Sequence, residues 1–166
     1  MSIHTIAIIG AGPHGRAIAL SALRAGYRIV LEDFSVPTLE QAEVSIGKVL
    51  DTRQRANLSL ESDIEVAIRD ADMIIETAAD EMETKIELFT IFDKFAKPNA
   101  IFATTTSLHS LAEIAEVTSC PGHCVALRLG LPDQPGSLAV VAGRQTDQQT
   151  IAICRELVKR LRGDSA

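Results

Sequence analysis

The sequence is poor in net positive charge, in long apolar runs and in cysteine, and each shortage excludes a class of protein. Acidic residues outnumber basic ones by 22 to 16, for a formal net charge of -6. The chain therefore lacks the basic surface of proteins that bind nucleic acids or anionic membranes. No apolar run approaches the ~18 residues of a membrane span. The first residues, MSIHTIAIIG, lack the charged flank and the cleavage site of a signal peptide.

Cysteine usage points to a reducing compartment. The three cysteines, Cys120, Cys124 and Cys154, are odd in number and do not suggest a disulfide framework. Cys120 and Cys124 form a CxxHC cluster with His123, but this spacing lacks the second ligand pair of a zinc site, so we expect no metal. A length of 166 residues fits one domain with its own core. We expect a single cytoplasmic domain over residues 1–166.

Strand and helix patterns alternate along the chain. Short β-branched or apolar runs predict strands at 3–9, 28–33, 72–76, 100–104, 123–129 and 138–142. Helical patterns occupy 13–25, 38–51, 81–95 and 110–116, with a short helix opened by a capping box at 62–65, a polar turn near 53–57 and a last helix capped by Thr146. This order predicts an α/β fold: a Rossmann-type, doubly wound, mostly parallel sheet with helices on both faces.

The strongest chemical motif is GAGPHG, which begins at Gly10 directly after the first strand and opens a helix. Gly10 permits a tight turn, Gly12 lets the backbone approach a pyrophosphate, and Gly15 lets the helix pack closely on the strand. The free amides and dipole of the helix that begins at Pro13 favour negative charge. His14 either contacts a phosphate or faces solvent, and we favour solvent.

An acid at the end of the second strand completes the motif. Asp33 lies near the ~20-residue spacing expected for the carboxylate that binds the adenosine ribose. Glu32 and Asp33 would repel the 2′-phosphate of NADP, and no arginine directly follows them. The motif therefore predicts NAD. The alternative is that the glycines only permit close packing in a fold that binds nothing.

Three longer stretches together resemble the NAD-binding domain of the 3-hydroxyacyl-CoA dehydrogenases. They are GAGPHGRAIA with AGYRIVLED, DADMIIETAADEMETKIELFTIFD, and IFATTTSLHSLAEIAEVTSCPGHCVALRLGLP. The resemblance covers nearly the whole chain and implies NAD as cofactor and a link to fatty acid metabolism. It also implies pyrophosphate and adenosine-ribose contacts for Gly10, Gly12, Gly15 and Asp33.

The resemblance places three further residues beside the nicotinamide half of the cofactor. Asp80 stands where the family has a glutamate near the nicotinamide ribose, and Lys85 matches a family lysine on the same side of the cofactor. Ser107 matches a serine near the nicotinamide and the substrate's 3-oxygen. Read without the family, Lys85 is equally well a solvated helix residue paired with Asp80 or Glu81, and Ser107 is a helix cap.

The pair of residues that transfers the proton in that family is replaced in this chain. In the family a histidine takes the hydroxyl proton while hydride moves to NAD, and a glutamate orients the histidine. The resemblance puts Arg128 at the histidine and Val140 at the glutamate. Arginine stays protonated and cannot act as a general base. We therefore expect NAD(H) binding without the family's hydroxyacyl-CoA oxidation.

Arg128 itself interrupts an apolar strand, where a charge is costly unless it has an anionic partner. It is a candidate to hold a small carboxylate or phosphate in bidentate geometry near Ser107. The alternative is an arginine that reaches solvent from the end of the sheet.

Two other functions remain open. One is an active NAD-dependent oxidoreductase for a 3-hydroxyacyl-CoA or another small hydroxy acid, alone or completed by a partner chain. The other is a structural or interaction module without catalysis. The chain stops at KRLRGDSA, where the family continues into an all-helical domain that forms its usual dimer interface. We expect that domain to be absent, which leaves self-association by a different surface as an option.

Overall fold

The computed structural model describes residues 2–106, 110–129 and 138–163. The strands are β1 (Thr5–Ile9), β2 (Arg28–Glu32), β3 (Leu58–Glu61), β4 (Met73–Glu76), β5 (Ile101–Thr104), β6 (Cys124–Leu129) and β7 (Leu138–Ala142). The helices are α1 (Pro13–Arg24), α2 (Val36–Gly47), α3 (Thr52–Arg55), α4 (Ile64–Ile68), α5 (Met82–Phe95), α6 (Leu111–Ala115) and α7 (Gln148–Arg162). Within the described ranges, no helix is both long and apolar enough to cross a membrane.

The strands form one sheet in the order β3-β2-β1-β4-β5-β6-β7. Strands β1 to β6 run parallel, and β7 runs antiparallel to β6. Parallel neighbours need crossover connections, which are right-handed. From β1 the chain winds outward in one direction through β2 and β3, and then in the opposite direction through β4 to β6. The strand order thus reverses between β1 and β4, the switch point at which such sheets bind ligands. The predicted Rossmann-type fold is confirmed.

Strand alternation divides the core into two layers. Ile6 and Ile8 of β1 belong to the layer under α1, α2 and α7, whereas Ala7 and Ile9 belong to the layer under α4, α5 and α6. Because both faces are covered, the central strands are apolar at nearly every position rather than alternating with polar residues. The first polar side chains therefore occur where these strands end.

Two elements differ from the sequence prediction. The segment predicted as a polar turn contains the one-turn helix α3, which begins with a capping box between Asp51 and Gln54. It is followed by β3, which pairs with β2 at the edge of the sheet. The sequence pattern missed β3 because this strand has only four residues, two of them polar, and edge strands need little apolar character.

Two helix caps also lie one residue from their predicted positions. The cap of α4 is Asp63, whose side chain accepts from the amides of Glu65 and Val66, so Ser62 is not the cap. The cap of α7 is Asp147. Thr146 instead donates its hydroxyl to the Cys124 carbonyl, 2.7 Å away. In both cases an aspartate follows the predicted cap, and a carboxylate is at least as good an acceptor at the N-cap as a hydroxyl.

Candidate functional site

The carboxyl edge of the sheet carries a row of polar residues in register. Glu32 of β2 pairs with Ile9 of β1, Ile9 pairs with Glu76 of β4, and Glu76 pairs with Thr104 of β5. Residues aligned in this way point to the same face of the sheet. The row therefore gathers Glu32, Glu76 and Thr104 on one face beside the switch point.

The glycine loop lies over this edge. Gly10 has φ +103, a conformation that favours glycine, and its amide donates to the Glu32 carbonyl at 2.8 Å. The hydroxyl of Thr77 donates to the carbonyls of Ile9 and Gly10, both at 3.0 Å. The turn is thus fixed by a hydrogen bond to β2 and by hydrogen bonds from Thr77, the residue that follows β4.

Two glycines of the motif serve different purposes. A Cβ on Gly15 would lie 1.9 Å from the Gly10 carbonyl oxygen, so this glycine permits the close approach of α1 to β1. A Cβ on Gly12 would meet no protein atom within 4 Å, and Gly12 caps α1 without any side-chain hydrogen bond. The space in front of the first-turn amides is therefore open. It fits a pyrophosphate, which such amides bind.

Asp33 is held at the mouth of the same loop. One carboxylate oxygen accepts from the Ala11 amide and the other from the Ser35 amide, each at 2.9 Å. A carboxylate retains further acceptor capacity after one bond to each oxygen, so Asp33 can also take hydroxyl donors. Pro13 and His14 are exposed in the first turn of α1. This agrees with the solvent-facing reading of His14, and its contact with a phosphate stays a prediction.

Among the residues that the structure describes, no cation forms an ion pair with Glu32. Its side chain is 6% exposed, and burial, together with Asp33, Asp63 and Glu61 nearby, raises its pKa to about 7. Glu61 pairs with Glu32 in the register of β3 and β2. The row of acids thus places like charges on adjacent strands, where they disfavour ionisation of the most buried member.

The nearest partner of Lys85 is Glu76, which the sequence did not predict. The Lys85 ammonium is 1% exposed and lies 2.7 Å from a carboxylate oxygen of Glu76, which is fully buried. Thr104 donates its hydroxyl to the same oxygen, and the Ala78 amide donates to the other at 3.0 Å. The alternative of a solvated helix residue paired with Asp80 or Glu81 is wrong about solvation, because Lys85 is buried, but Lys85 does lie within ion-pair distance of Asp80. Its spacing from Phe89 and Phe92, on the buried face of α5, was the available signal.

Asp80 and Thr106 extend this network toward the surface. Asp80 accepts from the Thr106 hydroxyl at 2.6 Å and lies 3.7 Å from the Lys85 ammonium. The Asp80 side chain is 30% exposed, so it stands between the buried ion pair and solvent. Contacts of Asp80 and Lys85 with a cofactor stay predictions, and Ser107 lies outside the described residues.

Arg128 and Val140 do not face each other. Arg128 is exposed and pairs with Ala139, whereas Val140 pairs with Leu127. Paired residues of antiparallel strands share a face and neighbours alternate, so Arg128 and Val140 lie on opposite faces of the sheet. The exposure of Arg128 agrees with an arginine reaching solvent at the carboxyl end of β6, the same edge as the glycine loop.

The CxxHC cluster lies at the opposite, amino edge. Burial raises the pKa of the Cys124 thiol to about 12, which disfavours the thiolate that a metal needs. His123 lines a cleft of about 390 Å³ with Asp72, Lys97 and Asp147, away from the switch point. Over the described ranges, no three metal-ligating side chains converge.

Comparison with known proteins agrees with this geometry. Residues 5–165 match the family model described as "3-hydroxyacyl-CoA dehydrogenase, NAD binding domain". A 3-hydroxybutyryl-CoA dehydrogenase of Bradyrhizobium diazoefficiens is 28% identical over 96% of this chain and 59% of its own length. An L-carnitine dehydrogenase of a Pseudomonas species is 31% identical over 96% of the chain and 53% of its own length.

Solved structures share the fold. The crystal structure of the Escherichia coli K12 3-hydroxybutyryl-CoA dehydrogenase superposes with a TM-score of 0.86 at 27% identity, covering 97% of this chain and 37% of that one. The Ralstonia eutropha (S)-3-hydroxybutyryl-CoA dehydrogenase gives 0.88 at 24% identity, over 96% of this chain and 61% of that one. The chain spans about 60% of the first curated relatives it matches. These matches identify the dinucleotide of the site as NAD.

Substitution of Gly12 or Gly15 by alanine should distinguish the contribution of each glycine to NADH affinity from its contribution to the stability of the fold. Gly12→Ala adds a methyl group in open space at an ordinary φ of -69, so the free energy of unfolding should fall by less than about 1 kcal/mol. Because that methyl would occupy the expected pyrophosphate position, NADH affinity should fall at least about tenfold. Gly15→Ala should instead destabilise the fold by about 1–3 kcal/mol through overpacking. Urea denaturation and NADH fluorescence titration measure both effects, and equal behaviour of the two variants would contradict this account.

Substitution of Lys85 should lower the free energy of unfolding, because the Glu76 carboxylate is then buried without a cation. Lys85→Met leaves the Glu76 carboxylate buried without its cation, and we expect a loss of about 3–5 kcal/mol in the free energy of unfolding. The exposed Lys48 provides the control, Lys48→Met, which should change little. The double variant Glu76→Gln/Lys85→Met should recover part of the loss because no charge is then buried. A Lys85→Met variant as stable as the control would show that the ion pair contributes nothing.

Glu32 should make stability depend on pH. Its pKa is about 7 in the fold against 4.5 as the ordinary value, so the folded state holds an extra proton between these values and the stabilisation is lost as pH rises through 7. Glu32→Gln removes this effect. The difference in free energy of unfolding between Glu32→Gln and the wild type, measured by urea denaturation, should grow in favour of the variant by about 2 kcal/mol from roughly pH 5.5 to pH 8.5.

Glu65→Gln, on the exposed side of α4, is the matched control for that series. Its stability should run parallel to that of the wild type at every pH. A parallel curve for Glu32→Gln as well would mean that Glu32 ionises normally.

Proposed function

Because the chain belongs to the family of 3-hydroxyacyl-CoA dehydrogenase NAD-binding domains, we propose that it binds NAD(H) without oxidising hydroxyacyl-CoA by itself. The dinucleotide would lie across the carboxyl edge of the sheet. Gly12 and the first turn of α1 would hold its pyrophosphate, Asp33 its adenosine ribose, and Asp80 its nicotinamide ribose. NAD would supply the hydride chemistry, and the protein would position the cofactor.

The observation that carries the proposal is the residue at the position of the family histidine. Arg128 is exposed at the carboxyl end of β6, and its guanidinium keeps its proton at physiological pH. It can bind an anion but cannot take a proton from a substrate hydroxyl. Loss of a positioned acid or base costs ~10²–10⁴ in rate.

The register of β6 and β7 supports the same conclusion. Val140 packs against the apolar layer under α1, α2 and α7, on the face opposite Arg128. It has no polar group with which to orient a base. A single histidine at position 128 would therefore still lack a carboxylate from that strand position.

A second candidate is an oxidoreductase for a small hydroxy acid that carries a carboxylate. Arg128 supports it, because a guanidinium binds carboxylates in bidentate geometry. One relative, from Mesorhizobium japonicum, is a 5-formyl-3-hydroxy-2-methylpyridine 4-carboxylate 5-dehydrogenase, 25% identical over 96% of this chain. We also propose a small anionic or acyl-CoA substrate, and either a homo-oligomer or a partner chain that carries a helical domain. We further propose a cytoplasmic location, which the three free cysteines favour.

Binding and turnover are tested together. NADH fluorescence titration should show binding, whereas reduction of acetoacetyl-CoA, followed by NADH loss, should run at least about a hundredfold slower than with a full-length 3-hydroxybutyryl-CoA dehydrogenase. Arg128→Ala should bind NADH as the wild type does. Robust turnover of acetoacetyl-CoA would contradict the proposal. Turnover of a carboxylate-bearing hydroxy acid that Arg128→Ala abolishes would establish the second candidate.

A further inference from the structure

Phe34 is an aromatic side chain in an unexpected place. Its side chain is 90% exposed, the highest value among the large apolar residues of the described ranges, whereas Phe89 and Phe92 are fully buried. Leaving a phenylalanine ring in water forgoes the stabilisation that its burial gives. The packing of this fold therefore does not explain the ring.

Hydrogen bonds hold the backbone on both sides of Phe34 in place. Phe34 stands between Asp33, whose carboxylate accepts from the amides of Ala11 and Ser35, and Ser35, which caps α2. The Ser35 hydroxyl oxygen accepts from the Thr38 amide at 3.4 Å and from the Thr38 hydroxyl at 2.9 Å. The backbone on both sides of Phe34 is thus tied to the glycine loop and to a helix cap. This presents the ring beside the place where an adenosine ribose would bind.

We propose that Phe34 binds the adenine of NAD by stacking on its face. The proposal rests on NAD(H) binding as the function of this edge. Adenine is bonded directly to the ribose that Asp33 would hold. The base would therefore lie close to Phe34, the residue that follows Asp33 in the chain. Aromatic side chains stack on nucleobases with useful affinity, and the flat adenine face would cover a ring that the protein leaves in water.

The geometry also gives the interaction a low entropic cost. A phenylalanine has two side-chain torsions, so ordering it costs less than ordering a long flexible side chain. The hydrogen bonds of Asp33 and Ser35 hold the Phe34 backbone in place before the cofactor arrives, and such preorganisation favours affinity. Phe34 would thereby fix the adenine end of the dinucleotide, while Asp80 and the neighbouring residues hold the other end.

Four substitutions test this role. Phe34→Ala should weaken NADH binding at least about fivefold, and Phe34→Leu, which keeps apolar bulk but not the flat ring, should be intermediate. Phe34→Trp should bind NADH at least as tightly as the wild type. Because the chain has no tryptophan, emission from that residue reports on the site alone, and it should be quenched when NAD binds. Val44→Ala, at another exposed apolar residue, should change nothing.

ADP-ribose distinguishes adenine stacking from other effects. It keeps the adenine and lacks the nicotinamide, so Phe34→Ala should lose the same factor in affinity for ADP-ribose as for NADH, measured by calorimetry. All variants should keep the wild-type urea midpoint, since the ring makes no core contacts. Wild-type affinity of Phe34→Ala for both ligands, or a loss seen with NADH alone, would overturn the role of Phe34. Failure of the wild-type protein to bind NADH would instead overturn the proposed function itself.

Discussion

The register of the parallel sheet is the constraint on which the rest of the site depends. It aligns Glu61, Glu32, Ile9, Glu76 and Thr104 on one face at the carboxyl edge. Three of these five residues are acids, and a charge removed from water is costly unless it is compensated. The protein compensates the two buried acids in different ways.

Glu76 is compensated by a cation and by hydrogen bonds. Lys85, Thr104 and the Ala78 amide together use both of its carboxylate oxygens, and these groups connect β4 to α5 and β5. Glu32 has no such cation in the part of the chain that the structure describes, and burial beside other acids raises its pKa. The same edge therefore combines a buried, hydrogen-bonded ion pair at the end of β4 with an acid at the end of β2 whose pKa is about 7. This difference follows from the position of a single lysine.

Much of the fold and part of the site could be predicted from sequence. The GAGPHG loop and Asp33 were predictable because a turn, a helix start and an acid at the strand end each have local signals. The burial of Lys85 was not, because its position on the inner face of α5 opposes the usual exposure of lysine, and its partner Glu76 is nine residues away in the chain. Strand β3 was missed because it depends on pairing with β2 rather than on its own apolar content. The opposite orientation of Arg128 and Val140 depends on the register of β6 and β7, which sequence spacing alone does not give.

An NMR titration of isotope-labelled protein with NADH shows whether this edge of the sheet binds NAD(H), because each backbone amide reports separately. We expect shifts of the amides at 10–12, 14–15, 33–35 and 77–80, with little change at 97, 99 and 145–147 on the opposite edge. Shifts concentrated around the cleft near His123, or no shifts at saturating NADH, would contradict it.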